Sequence, residues 1–222
     1  MQGSSLSPVL GNVYLHHVLD LWFERDVLPR LAGNATLIRY VDDAVFTFET
    51  ESDARRVLKA LAKRFERFGL ELHPEKTRLL PYQRPALGTK GRGPGTFDFL
   101  GFTHYWRRAP SGHWTPGART RKASLRRFVV AVADYCRSHR HEPVKEQHAA
   151  LTRRITGHFN YFGVNGNVPS LQHVRRACGV VWHKWLNRRS QRAEKSWDAF
   201  NDMQREFPLP SARVYVRLWS AP

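Results

Sequence analysis

Tyr40-Val41-Asp42-Asp43 sets two carboxylates side by side between two β-prone runs. The runs are Thr36-Leu37-Ile38-Arg39-Tyr40 and Ala44-Val45-Phe46-Thr47-Phe48. Together they predict a hairpin with Asp42 and Asp43 at its tip. Adjacent ionised carboxylates repel each other, and a bound cation offsets that repulsion. Mg²⁺ is a hard ion that prefers such oxygens. Carboxylates held on a rigid turn can ligate metal for in-line phosphoryl transfer. Asp is also frequent in turns for local reasons, so an ordinary polar turn stays open at this point.

The elements that must hold this tip can be read on either side of it. Ser7-Pro8 reads as a helix start, with Ser capping and Pro at the first helical position. Val9, Leu10, Val13, Tyr14, Val18, Leu21 and Trp22 then recur at helical spacing. Beyond the hairpin, Ser52 reads as the cap of a second helix. Its apolar face is Ala54, Val57, Leu58, Leu61, Phe65 and Phe68, and Gly69 ends it. Residues 81–96 hold four Gly and three Pro without apolar periodicity and read as a linking loop. Its Gly88-Thr89-Lys90-Gly91-Arg92-Gly93 lacks the spacing of a phosphate-binding P-loop. Phe97–Trp106 reads as one strand that turns back at 109–112 through Trp114.

The remainder reads as helical. Its stripes are Leu125, Phe128, Val129, Val132 and Cys136; Leu151, Ile155, Phe159 and Phe162; and Leu171, Val174, Cys178, Val181 and Trp185, with a last short helix through Trp197, Phe200 and Met203. The predicted class is α+β, a carboxylate-tipped hairpin packed on helices, followed by an all-α basic domain. The expected divisions are 1–106, a hairpin and linker over 107–118, and 119–222.

Charge separates the two parts. The chain has 36 Lys and Arg against 19 Asp and Glu, a net of +17, with a pI of about 10.7. Residues 1–106 hold 14 basic and 12 acidic residues, whereas residues 107–222 hold 22 and 7. Such a surplus points to a polyanion, and nucleic acid is the usual one. Arg126/Arg127, Arg153/Arg154, Arg175/Arg176 and Arg188/Arg189 recur on the predicted helices, with Lys184 close by. A charged helix face is often only solvated, but pairs of one sign suit phosphate contact. Two cysteines exclude a disulfide scaffold. No apolar run approaches the ~20 residues that span a bilayer, and the first residues carry no signal-peptide pattern. A cytoplasmic protein is expected.

Four blocks occur in a particular order: Gln2-Gly3-Ser4-Ser5-Leu6-Ser7-Pro8, then Tyr40-Val41-Asp42-Asp43, then Gly69-Leu70-Glu71-Leu72-His73-Pro74-Glu75-Lys76-Thr77, then Phe97-Asp98-Phe99-Leu100-Gly101-Phe102. This series resembles the palm of group II intron-encoded reverse transcriptases. The basic part, with Gly157–Phe162 and Trp185-Leu186-Asn187-Arg188-Arg189, resembles the thumb/maturase domain of that family.

The resemblance implies an RNA-directed DNA polymerase of a mobile intron that works through two Mg²⁺ ions. Asp42 and Asp43 would be its catalytic and metal-binding carboxylates. Gln2, Gly3, Ser7, Pro8 and Tyr40 would lie near template and incoming dNTP, Lys76 near the nucleotide phosphates, and Leu100-Gly101 at the DNA primer end. The basic helices would hold the RNA template–primer duplex and structured intron RNA. In the family a third carboxylate lies on a strand upstream of the glutamine block, where this sequence begins. The expectation is therefore a C-terminal portion whose palm is completed by an upstream polypeptide or a second copy. Val41 stands where alanine is usual. An alternative is a maturase that binds intron RNA and assists splicing without polymerising. A decayed reading frame that does not fold is a third possibility. Reverse transcriptases of bacterial defence and diversity-generating systems share the same motifs.

Overall fold

The structure, a computed structural model, describes residues 6–90, 93, 95–109, 111–189 and 195–217. The chain forms two compact units, Met1–Pro81 and Tyr82–Pro222.

The first unit opens with α1 (Ser7–Leu15). Ser7 does not cap it. The preceding Leu6 already has helical backbone angles, and no side chain caps the helix. The helix continues through two wide π-turns, His16–Asp20 and Phe23–Val27, and ends in a 3-10 turn at Leu28–Arg30. The wide turns close by bonds from the Leu21 and Leu28 N–H groups to the carbonyls five residues back. Each takes up one extra residue. Along this helical run only Val18, Leu19, Phe23 and Val27 are buried, and Val9, Leu10, Val13 and Tyr14 are exposed.

Strands β1 (Ala35–Tyr40) and β2 (Asp43–Phe48) pair antiparallel, with Tyr40 opposite Asp43. One face of the hairpin packs Ala35, Leu37, Phe46 and Phe48 against Phe23, Val27 and Val57. Helix α2 (Glu51–Arg67) then crosses behind. Its cap is Thr50 rather than Ser52. The Thr50 hydroxyl accepts from the Asp53 N–H at 3.3 Å, and Asp53 in turn accepts from the Ala32 and Gly33 N–H groups at 3.0 and 3.1 Å. Thr50 wins because the extended backbone belongs to it, and a cap residue must be non-helical. At the far end Gly69 adopts φ +66°, and the Gly69 and Leu70 N–H groups close back on Glu66 and Phe65. That is the glycine stop expected from the sequence.

The second unit begins with a three-stranded antiparallel sheet, β3 (Thr96–Phe99), β4 (Phe102–Arg108) and β5 (Trp114–Thr120). The single strand expected over 97–106 is a hairpin that reverses at Leu100-Gly101. Both turn residues have positive φ, +48° and +76°. A two-residue type I′ turn demands that. The division expected at 106 falls inside β4, which is hydrogen-bonded on both edges. The compact units instead part at Pro81/Tyr82.

Helices α3 (Lys122–Ser138), α4 (Val144–Phe162), α5 (Val168–Leu186) and α6 (Trp197–Glu206) complete the unit. Their stripes meet as predicted around Val132, Cys136, Leu151, Ile155, Phe159, Leu171, Val174 and Cys178, together with Trp182, Leu186 and Phe200. Each large side chain buried this fully contributes on the order of 1.5–3 kcal/mol. Gln147, buried within this core, donates to the carbonyls of His139, Arg140 and Glu142 and accepts from Trp182 Nε1. One amide thus satisfies the turn that joins α3 to α4.

Candidate functional site

Asp42 stands in a two-residue turn, Val41-Asp42, and Asp43 opens β2 directly after it. Val41 has φ +56°, an unfavourable left-handed angle for a β-branched residue. Positive φ at the first loop position alone is the φ pattern of a type II′ turn, which suits the right-handed twist of a hairpin. The turn is tied from below. Arg39 Nη1 donates to the Val41 carbonyl at 2.8 Å and to Asn12 Oδ1 of α1 at 2.9 Å. Its Nε and Nη2 form a bidentate pair with Asp20 at 2.7 and 2.6 Å. The Arg39 side chain is 13% exposed and that of Asp20 28%. The hydrogen bonds from Arg39 hold the Asp20 carboxyl below the usual carboxylate range, against the opposing pull of its burial. One guanidinium therefore joins α1, the first π-turn and the strained turn.

Asp42 and Asp43 point the other way. Both are exposed, and neither side chain has a hydrogen-bond or ion-pair partner among the described residues. The local cation, Arg39, is spent on Asp20, which leaves both carboxylates free to meet a metal. Tyr40, 63% exposed, flanks them on the solvent face of β1. Ser7 and Pro8 are exposed at the start of α1. Gln2 and Gly3 lie outside the described residues. Lys76 is exposed in a single turn after α2, where its N–H donates to the His73 carbonyl at 3.2 Å. Among the described residues no group of three or more His, Cys, Asp or Glu could hold a metal ion. The donor set offered here is the carboxylate pair.

Leu100 and Gly101 lie in the second unit, docked on its helices. The Tyr161 hydroxyl donates to the Leu100 carbonyl at 3.0 Å, and the Arg121 N–H donates to that of Gly101 at 2.9 Å. A Cβ on Gly101 would stand 3.3 Å from the Phe162 ring. Glycine is favoured there by its φ of +76°, and the ring leaves little room for a side chain.

The basic pairs divide. Arg126, Arg127, Arg153, Arg154, Arg176, Lys184 and Arg188 are exposed, whereas Arg175 and Arg189 are half-buried. Arg175 Nε donates to the Leu209 carbonyl and Arg189 to that of Glu142, at 3.3 and 2.6 Å. Burial lowers the Arg189 pKa from the ordinary arginine value. Successive residues on a helix point about 100° apart, so a pair cannot send both members outward when the stripe lies beside one of them. Arg153 and Arg154 line a cavity of about 500 Å³ with Tyr135, His139, Glu142 and Glu146. The Arg154 guanidinium lies 4.5 Å from the Tyr135 ring centroid. Lys184 and Arg188 flank the Trp185 ring at 5.9 and 5.4 Å. Both cysteines are buried and free, and burial pushes each thiol up to about 12, which makes them inert.

Residues 1–104 match the family described as reverse transcriptase (RNA-dependent DNA polymerase). The match spans α1, the carboxylate hairpin and α2, and stops within β4. No curated protein matches the sequence. Among the described residues no helix is long and apolar enough to cross a membrane.

The residue missed in the sequence was Arg39. Its signal was present, because strict alternation along β1 puts position 39 on the core face with Ala35 and Leu37. An arginine there must find a carboxylate.

Proposed function

We propose that the chain acts in RNA-directed DNA synthesis as a reverse transcriptase of the group II intron type, with Asp42 and Asp43 as its catalytic carboxylates. The observation that carries this reading is the exposed, unpartnered pair on a hairpin pinned by Arg39, inside the segment that matches the reverse transcriptase family. Mg²⁺ fits these residues. It commonly uses one or two carboxylates together with substrate phosphates and water. Asp42 and Asp43 would hold it, and when bound it supplies charge stabilisation for attack of a primer 3′-hydroxyl on a nucleotide α-phosphate. Arg39 keeps the tip in one conformation. Tyr40, Ser7, Pro8 and Lys76, together with Gln2 and Gly3 on the sequence resemblance alone, are the residues proposed to meet template and dNTP. Leu100-Gly101 presents a rigid turn to the primer. Arg126, Arg127, Arg153, Arg154, Arg176, Lys184 and Arg188 offer exposed cations to the duplex and to intron RNA.

Primer extension on an RNA template with Mg²⁺ tests this. Extension is expected from the wild type and not from Asp42→Asn, whose thermal unfolding should match wild type because the side chain is exposed and unpartnered. Extension retained in Asp42→Asn refutes the assignment. A second reading, RNA binding that assists splicing without polymerisation, is favoured by the concentration of charge in residues 107–222. It predicts no extension by the wild type, and RNA binding that Arg153→Ala with Arg154→Ala weakens while Asp42→Asn does not.

A further inference from the structure

Residues 107–222 hold 7 acidic residues among 22 basic ones, and two of those acids, Glu142 and Glu146, line one cavity. It encloses about 500 Å³ between the end of α3 and one side of α4. Helix geometry orders its wall. Glu146, Ala150 and Arg153 are spaced by four and then three residues, so they share one face of α4. Glu146 and Arg153 lie two turns apart, about 10 Å along the axis. Neither side chain has a hydrogen-bond or ion-pair partner among the described residues, and both are exposed. Ala150 between them adds no bulk, so the space stays open.

The opposite wall is flat. The Arg154 guanidinium carbon lies 4.5 Å from the Tyr135 ring centroid, and the His139 ring stacks on the same tyrosine at 4.3 Å. Arg154 is itself exposed, so its guanidinium offers a planar surface to the cavity. Glu142 accepts from the Tyr135 hydroxyl at 3.5 Å and is thereby occupied, which leaves Glu146 as the free carboxylate. A carboxylate repels phosphate, so Glu146 does not serve a nucleic acid backbone. In the first turn of α4 it complements the helix dipole. That accounts for an acid at this position, but not for the open space beside it or the free cation beyond.

We propose that this cavity reads a guanine nucleotide. Glu146 accepts from N1–H and N2–H of the base edge, the base stacks on the Arg154 plane, and Arg153 takes the phosphate. Unpaired RNA bases are commonly held by such stacking and by hydrogen bonds to their Watson–Crick edge. An ionised carboxylate only accepts. Guanine alone among the four RNA bases presents two adjacent donors on that edge to match its two oxygens. The inference rests on the nucleic-acid reading above and adds base selectivity to it. A guanine in an RNA strand and a free guanine nucleotide share this chemistry, and the test separates them.

Fluorescence anisotropy with the full chain compares labelled oligo(U) bearing one central G, the same strand with inosine in its place, and the all-U strand. Inosine lacks only the N2 amino group. The G strand should bind about 10-fold tighter than either of the others. Glu146→Gln should abolish this preference without weakening the all-U strand, since it removes a negative charge from a basic surface. A carboxylate that serves only the helix dipole would change the Tm and leave the ratio of G to inosine untouched. Ala150→Leu fills the cavity at constant charge and should abolish the preference as well; it carries the test if Glu146→Gln does not fold. Competition with GMP then identifies the source. Displacement of the G strand by GMP but not by IMP upholds the site as one for the free nucleotide, and displacement only by unlabelled G strand upholds it as one for RNA. Equal binding of the three strands, or a G preference kept by both folded variants, overturns this site and leaves the proposed function standing. A wild type that binds none of the strands at low salt overturns the nucleic-acid reading with it.

Discussion

Replacing Arg39 by Met keeps most of its stem and removes only the guanidinium. The change leaves Asp20 a largely covered carboxylate with only the His16 imidazole beside it, at 3.4 Å, and deprives Asn12 Oδ1 and the Val41 carbonyl of their donor. Breaking a fully buried pair by removing one partner costs roughly 3–5 kcal/mol. Here Asp20 keeps 28% exposure and can recover some hydration, so the pair itself is worth about 2 kcal/mol. The two further bonds add roughly 0.5 kcal/mol each. The sum, about 3 kcal/mol, corresponds to a Tm loss on the order of 12–20 °C for a unit of this size. Urea unfolding of the full chain, followed by Trp fluorescence, measures it.

The sign with pH is fixed by Asp20. Its folded pKa is lowered, so its contribution is present above the unfolded value and lost as pH falls through the folded value. The difference between wild type and Arg39→Met should therefore shrink on acidification. Asp20→Asn should recover part of the loss in the Arg39→Met background, because it removes the stranded charge. A variant within about 0.5 kcal/mol of wild type at neutral pH, or a double mutant that shows simple additivity, would refute the claim that this pair holds the hairpin.

Two other perturbations follow from local geometry. Val41→Gly relieves a φ of +56° and should stabilise the first unit by roughly 0.5–1 kcal/mol after the extra chain entropy of glycine is counted; denaturant midpoints compare the two. His158 is buried beside Phe128 and Phe162, with Nε2 unpartnered, and burial pushes its pKa from 6.5 to about 4. The folded state then binds fewer protons than the unfolded one, so stability should drop as pH falls from 6.5 towards 4, by up to about 3 kcal/mol. His158→Phe should flatten that dependence in the second unit, as thermal melts across the pH series would show.

Periodicity carried most of the second unit because its helices are long and each has one buried stripe. Leu151, Ile155 and Phe159 could be placed from spacing alone. The carboxylate tip was legible for a similar reason, since two β-prone runs leave little else between them but a turn. Features that depend on a backbone angle were harder to read. Nothing in the apolar pattern of Phe97–Trp106 marks a reversal, and only the left-handed angles of Leu100 and Gly101 produce one. The cap passed from Ser52 to Thr50 because capping depends on which residue is extended, which composition does not encode. The π-turns were invisible because each adds one residue to a helix without altering residue type.

The first unit keeps its structural and its chemical charges apart. Asp20, Arg39 and Asp53 meet their partners within the fold, whereas Asp42 and Asp43 meet none among the described residues. The two sets lie close together in sequence, so the separation comes from strand alternation. Position 39 faces the helices and position 40 faces solvent; Asp43 pairs with Tyr40 in the last cross-strand pair, and the two-residue turn carries Asp42 just beyond it. Had the turn been one residue longer or shorter, the period-two pattern would have exchanged the faces of everything after it. Phe46 and Phe48 would then have faced solvent. The packing of those two rings against Phe23 therefore fixes the length of the turn. The length of the turn, in its turn, forces Val41 into an angle that valine disfavours. The strain at Val41 is thus a consequence of holding two carboxylates at a fixed place between two strands whose register the core has already set.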